Sequence, residues 1–279
     1  MYYHSFPLEL MIVILVFMGV LPFTLHSEVL RGNVREVFRD TEVKTMCIWL
    51  IAIVLVYVSA AVAGTSISDL PALLRRSVYM VISSFSTVGF MVVTPSQLTD
   101  MISSGAFLTL AVLMAIGGMS GSTSGGIKIQ RIALIAKSIL MEVKSTLAPD
   151  SARVVVSYYH LGRRPVMSGL IREAMTVASL YAITYIIGAL IAIAHGYEAS
   201  QAIFDSISMA SNGGLTSGVV APGMPASLEL FFIFEMWAGR LEFLTLLALI
   251  AQIVASLTPN RVSGWASVRA AERRRRDRL

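Results

Sequence analysis

Five apolar stretches dominate the chain, near Phe6–His26, Thr45–Gly64, Ser104–Ile127, Ser168–Ala194 and Ser227–Leu257. Each is about as long as the roughly 20 helical residues that cross a hydrocarbon core of about 30 Å. Inside such a core every backbone N–H and C=O needs a partner within the chain, which favours helices. The sequence therefore predicts an all-α polytopic membrane protein. The composition agrees, since 56% of the residues are hydrophobic and only 14% charged, far from the balance of a soluble domain.

The 22 Lys and Arg give a formal charge of +5, and their placement decides what that charge means. Nearly all fall in Arg31–Lys44, Lys128–Arg172 and Arg261–Arg278; His195–Glu229 holds none, and the other intervening segment has only Arg75 and Arg76. This is the asymmetry of the positive-inside rule rather than a nucleic-acid patch. It predicts a cell-membrane protein with its amino terminus outside and its carboxyl terminus in the cytoplasm, in contact with lipid and not with nucleic acid. The start "MYYHSFPLEL" has no basic n-region, so it is not a signal peptide; the expectation is an unusual start or a fragment. The lone Cys47 allows no internal disulfide and reads as lipid-facing or packing.

Two stretches between spans match each other: "VISSFSTVGFMVV" (Val81–Val93) and "SISMASNGGLTSG" (Ser206–Gly218). Setting Gly89 on Gly214 brings Ser86 onto Ser211, Phe90 onto Leu215 and Ile82 onto Ile207. Each stretch follows one apolar span and precedes another, so the unit is helix, short helix with loop, helix. The short pieces, near Leu70–Ser84 and Glu198–Ala210, cannot cross a bilayer. Irregular backbone at membrane depth is tolerated where it lines a water-filled path or is buried in protein, which predicts re-entrant pore helices and loops. Backbone carbonyls can replace the water shell of an alkali cation, glycine lets successive carbonyls turn toward one axis, and the carboxyl end of a pore helix is the end that favours a cation. Taken singly, each loop could be an ordinary Gly/Ser turn; their matched placement favours a filter.

The residues "FSTVGF" (Phe85–Phe90), "GGMSGSTSGGIKIQR" (Gly117–Arg131), "SNGGLTSG" (Ser211–Gly218) and "AGRLEFLTLL" (Ala238–Leu247) resemble, in that order and spacing, the second half of the Trk/Ktr/HKT superfamily of potassium transporters. Such proteins have four helix–loop–helix repeats around one ion path. The resemblance covers almost the whole chain but only the third and fourth repeats, with Leu8–Asn33 similar to the inner helix that ends the second. It implies an inner helix and linker over 1–44, a repeat with filter loop and broken inner helix over 45–140, a cytoplasmic linker over 141–167, a repeat over 168–260 and a basic tail over 261–279.

On this resemblance Ser86, Thr87, Val88 and Gly89 form one filter segment and Ser211, Asn212, Gly213 and Gly214 the other, holding potassium at carbonyls only. One glycine in the first loop is less stringent than a Gly-x-Gly filter, so the transported ion is potassium or sodium. No cofactor is expected in the chain.

"GGMSGSTSGG" places five glycines in what would otherwise be one inner helix from Ser104 to Leu140, each costing about 1 kcal/mol relative to Ala. Close small-residue helix packing is one reading. An intramembrane loop that obstructs or clears the path is the other, and the family's gate loop matches it at Gly117, Gly118, Ser120, Gly121, Ser122, Thr123, Ser124, Gly125 and Gly126. A phosphate loop is excluded because Ile127 separates Gly126 from Lys128. Arg240, in the middle of the last apolar stretch, must face water or a partner or snorkel to an interface; the resemblance places it in the cavity beneath the filter, within reach of the Gly-rich loop.

"RVVVSYYHLGRRPVM" (Arg153–Met167) reads as a hairpin around His160-Leu161-Gly162. The resemblance implies that the same face docks a ring of nucleotide-binding regulatory subunits of the RCK (TrkA/KtrA) type. The tail "ERRRRDR" (Glu272–Arg278) suits anionic headgroups. The four histidines His4, His26, His160 and His195 show no metal-ligand spacing, and none is given a role.

An enzyme reading rests on "GMSG" (Gly118–Gly121), which is similar to the nucleophile motif of intramembrane serine proteases, but neither His160 nor His195 is placed to serve Ser120. The expectation is that the chain is not an enzyme. Two filter loops do not encircle an ion, so the expectation is that a homodimer or a second chain restores the other loops, or that the native protein is longer. A non-conducting or incomplete subunit is the alternative.

Overall fold

The structure is a computed structural model that describes residues 6–64, 70–100, 103–149, 155–160 and 162–257. The expected basic tail, 261–279, and His4 lie outside the described residues. By internal contact the chain divides into two units, Met1–Arg240 and Leu241–Leu279.

The first unit begins with α1 (Phe6–Val20) and α2 (Phe23–Leu30), bent by 102°. The expected span Phe6–His26 is thus built of two helices. Pro22 stands at the bend with φ −69° and ψ 148°; it lacks an N–H, and its ring forces the residue before it out of helical geometry. After α3 (Val34–Arg39), the chain turns at Asp40 into α4 (Thr41–Gly64). Asp40 caps α4, its Oδ1 accepting the Glu42 N–H at 2.7 Å.

The stretch expected to form the third repeat, 45–140, continues through the short helix α5 (Leu70–Ser86), α6 (Pro95–Asp100) and α7 (Ser104–Ala115). Thirteen loop residues, 116–128, separate α7 from α8 (Ile129–Leu147). The expected break in the inner helix is present, and only twelve residues of the apolar stretch Ser104–Ile127 are helical.

A two-stranded hairpin follows. β1 (Ser157–Tyr159) and β2 (Arg163–Pro165) pair antiparallel, with Tyr159 opposite Arg163. It lies inside the expected Arg153–Met167, of which residues 153–154 and Leu161 are outside the described residues. Of the stretch expected to form the fourth repeat, 168–260, the first unit holds α9 (Ser168–Ala194), α10 (Ala199–Ala210) and α11 (Ala226–Arg240).

In the second unit, α12 (Leu244–Leu257) follows a turn over 241–243. The expected single span Ser227–Leu257 is therefore two helices. Glu242 and Phe243 take φ of 56° and 46°, a left-handed backbone that no α-helix continues through. Arg240 stands at the carboxyl end of a helix rather than in the middle of one.

Among the described residues, two helices alone are long and apolar enough to cross a membrane, within α4 and at α9. Their outward faces carry Ile48, Ile51 and Leu55, and Ile183, Ile186 and Leu190, all more than half exposed, as lipid-facing surfaces require.

Two apolar cores hold the repeats. One gathers Met46, Ile53 and Tyr57 of α4, Met80, Val81 and Phe85 of α5, and Leu110, Leu113 and Met114 of α7. The other joins Ala189 and Ala192 of α9, Ala202 and Met209 of α10, and Leu228 and Phe232 of α11. Phe107 and Phe204 stack between α7 and α10 with centroids 4.4 Å apart.

Candidate pore site

The loops after α5 and α10 share their backbone turns and one side-chain bond. Thr87 and Asn212 both have φ of 54°, and Gly89 and Gly214 have φ of 82° and 72°. These pairs coincide in the register that the sequence repeat sets. Left-handed backbone costs a residue with a Cβ roughly 1–2 kcal/mol, so Thr87 and Asn212 in matched places, each followed two residues on by a left-handed glycine, mark a constrained geometry.

Serine side chains hold it. Ser83 Oγ donates to the Phe90 carbonyl at 2.7 Å, and Ser208 Oγ donates to that of Leu215 at 2.5 Å. The Thr87 and Asn212 N–H groups return to Ser84 O and Met209 O at 3.1 and 3.0 Å. The Val88 and Gly213 N–H groups return to Ser83 O and Ser208 O at 3.3 and 2.6 Å. Ser83 and Ser208 were missed as site residues in the sequence, although the repeat register places one on the other.

The two loops touch. A Cβ on Gly89 would lie 2.7 Å from the Gly213 carbonyl oxygen and 2.8 Å from Gly214 Cα, so no larger residue fits without displacement. Ser86 is the last residue of α5, and Ser211 follows the last residue of α10; both are buried. Val88, by contrast, is 40% exposed. Both loops thus start at helix carboxyl ends, whose partial negative charge favours a cation.

Loop 116–128 lies against both. The Gly125 N–H donates to Thr87 Oγ1 at 2.7 Å. A Cβ on Gly125 would fall 1.8 Å from the Ser211 carbonyl oxygen. Gly118, buried with Gly117, donates its N–H to Phe85 O at 3.3 Å. Gly121 and Gly126 take φ of 74° and 71°.

The loop is tied elsewhere too. Met119 and Thr123 donate their N–H groups to Val20 O and Gly19 O at the end of α1, each at 3.3 Å. Thr123 Oγ1 adds a bond to Gly19 O at 3.0 Å. Ser122 and Ser124 join their hydroxyls at 2.7 Å, and Lys128 Nζ reaches Ser124 O. Arg240 Nη1 donates to the Thr123 carbonyl at 3.0 Å. Glu42 Oε1 accepts the Ser120 N–H at 2.6 Å.

Two buried carboxylates support the fourth repeat. Asp205 accepts from the Ser217 N–H at 2.7 Å, the Thr216 hydroxyl at 2.9 Å and the Val220 N–H at 3.1 Å. Glu235 on α11 accepts from Ser206 at 3.1 Å and occupies the room left by Gly188. An acid in the apolar run "AIFDSISMA" was a visible signal for Asp205. Tyr181 Oη bonds Gly239 O at 2.9 Å, and Gly239 lets α11 sit directly on the last carbonyl of α10.

His160 pairs through Nδ1 with Asp40 at 2.9 Å, a role that spacing along the chain did not suggest. Beside it, Tyr159 Oη donates to Glu36 at 2.6 Å. That bond holds the Tyr159 phenol above its ordinary range.

Short helices ending in paired, mutually touching loops between longer apolar helices fit a polytopic membrane protein. The family model for TrkH, a cation transport protein, matches residues 1–257, and the chain belongs to that family.

An uncharacterized cation transporter of Methanocaldococcus jannaschii is 34% identical over 90% of this chain and 49% of its own length. The Trk system potassium uptake protein TrkH of Escherichia coli is 28% identical over 89% of this chain and 50% of its own. Among solved structures, the potassium transporter TrkH of Vibrio parahaemolyticus matches with a TM-score of 0.75 and 22% identity, over 89% of this chain and 53% of that one.

The chain spans about half the length of the curated relatives it matches. The expected superfamily and all-α membrane fold are both borne out, and the family is one of transporters rather than enzymes.

Proposed function

We propose that this chain supplies two loops of a cation filter through which potassium enters the cell, driven by the electrochemical gradient. The observation that carries this reading is the contact at Gly89 and Gly213–Gly214 between two loops of identical backbone register. Backbone oxygens of Ser86–Gly89 and Ser211–Gly214 would replace the ion's water shell. The printed names of the relatives, potassium uptake proteins and a cation transporter, point the same way. Potassium, or sodium, is the transported ion, and no cofactor takes part.

Loop 117–126 acts as the gate in this reading. Its support is the position of Gly125 against Thr87 and Ser211, one residue from each filter loop. Arg240 holds the gate through Thr123 and sets a positive charge beside the path, which opposes cation passage. A ring needs further loops, and a second copy in a homodimer provides them. The hairpin face is where a cytoplasmic RCK-type regulatory subunit would dock, with the amino terminus outside and the carboxyl terminus in the cytoplasm of the cell.

Ion flux into liposomes containing only this chain tests the reading, with sodium for comparison and Gly89→Asp as control. Potassium flux abolished by Gly89→Asp, and raised by Arg240→Ala, is expected. No flux from well-inserted chain would favour the alternative, a subunit that conducts only with another chain.

A further inference from the structure

Glu42 is 3% exposed, yet its partners lie far along the chain. Its Oε1 accepts the Ser120 N–H of the glycine-rich loop at 2.6 Å and the Gln130 N–H at 3.1 Å. Gln130 is in the first turn of α8, whose own N-cap residue, Lys128, makes no side-chain capping bond. A carboxylate there satisfies an orphan helix donor and complements the helix dipole. One side chain of α4 thus fixes both the loop and the start of the helix that follows it.

Glu42 is itself held from the hairpin side. Its N–H donates to Asp40 Oδ1 at 2.7 Å, while Asp40 Oδ2 receives His160 Nδ1 at 2.9 Å. The Tyr159 N–H donates to Thr41 Oγ1 at 2.8 Å, and Lys137 Nζ of α8 to Ser157 O of β1 at 2.8 Å. The carboxylates of Asp40 and Glu42 and the His160 ring lie within 4.8 Å of one another. Both Asp40 oxygens and Glu42 Oε1 are engaged by protein groups and so tie the segments together, while Glu42 Oε2 is buried without a hydrogen-bond partner among the described residues. Removing a partner from a buried charged network costs more than the mean hydrogen bond, because a charged group is left uncompensated.

We propose that Glu42 is the positioning residue of the glycine-rich loop, and that His160, acting through Asp40, couples the cytoplasmic hairpin to it. A force on the hairpin reaches the loop along His160, Asp40, Glu42 and Ser120. That this changes ion flow rests on reading 117–126 as the gate; the mechanical link does not.

Hydrogen exchange on the full chain in nanodiscs separates the two. Glu42→Ala is expected to raise exchange of residues 118–123 and 129–131 about tenfold, and Glu42→Gln, which keeps an acceptor, by less. His160→Ala, which touches neither Ser120 nor Gln130, is expected to raise exchange about threefold in the same segments as well as in the hairpin. His160→Asn serves as a second, milder variant. In the double variant His160→Ala should add nothing in the loop beyond Glu42→Ala, since both act through one path. A His160 effect confined to residues 155–166, or additive effects in the loop, would overturn the proposal. Unchanged potassium flux in variants with a loosened loop would instead count against the gate reading and leave the positioning role standing.

Discussion

The loops after α5 and α10 share a backbone but not a foundation. At the position equivalent to Asp205 the third repeat has Met80, and at that of Ser206 it has Val81; both are almost fully buried in an apolar core. The fourth repeat instead suspends residues 216–220 from Asp205 and fastens Ser206 to Glu235. What the two keep in common is local: one serine returning to a carbonyl seven residues on, and two left-handed residues in fixed places. A loop geometry can therefore be written in about eight residues, while the material behind it is free to be oil or hydrogen bonds.

The loops differ toward the glycine-rich segment as well. Thr87 gives the Gly125 N–H an acceptor, whereas its counterpart Asn212 turns its amide to Met236 O at 3.2 Å. The loop after α10 instead packs closely on Gly125, where an added Cβ would meet Ser211 O and Asn212 Cβ.

The largest expected effect separates the two glycines. Gly89→Ala combines a left-handed φ with a backbone collision and is expected to cost about 3 kcal/mol, from strain and overpacking together. Gly214→Ala, whose Cβ would meet nothing closer than 3.2 Å, is expected to cost about half as much, chiefly strain. Thermal unfolding in detergent reads both, and equal losses would break the asymmetry.

Asp205→Ala strands three donors and is expected to cost about 2 kcal/mol, with faster hydrogen exchange in residues 216–220. Residues 90–94 of the third loop should not respond, and if they do the two foundations are not independent. Ser83→Ala and Ser208→Ala each remove one matched bond, worth about 1 kcal/mol. Their losses should agree within a few tenths, and a clear difference would show that the shared backbone is held by different means. The smallest effect belongs to Thr87→Ser, which keeps the acceptor for Gly125; Thr87→Val should loosen residues 124–126 in hydrogen exchange, and identical behaviour of the two would mean that this bond does not hold the loop.

Much of the fold and site was legible because it is local or periodic. The glycine run showed the break between α7 and α8, and the paired stretches set the loops after α5 and α10 in register. Other features were hidden for physical reasons. Nothing in "RLEFL" marks the turn at 241–243, where ordinary residues take left-handed angles without a Gly or Pro. Pro22 did mark the bend after α1, but an apolar count that runs through it reads one span. Glu42 and His160 carried no local signal, because their partners are 78 and 120 residues away.

On the proposed reading, the loops at 86–89 and 211–214 are matched parts of one cation filter and stand or fall together. Soaking crystals of the chain with rubidium and locating it by anomalous scattering tests this directly. The expected result is a peak bounded by backbone oxygens of both loops and lost in Gly89→Asp. Well-ordered loops with no ion between them, or a peak that survives Gly89→Asp, would contradict it.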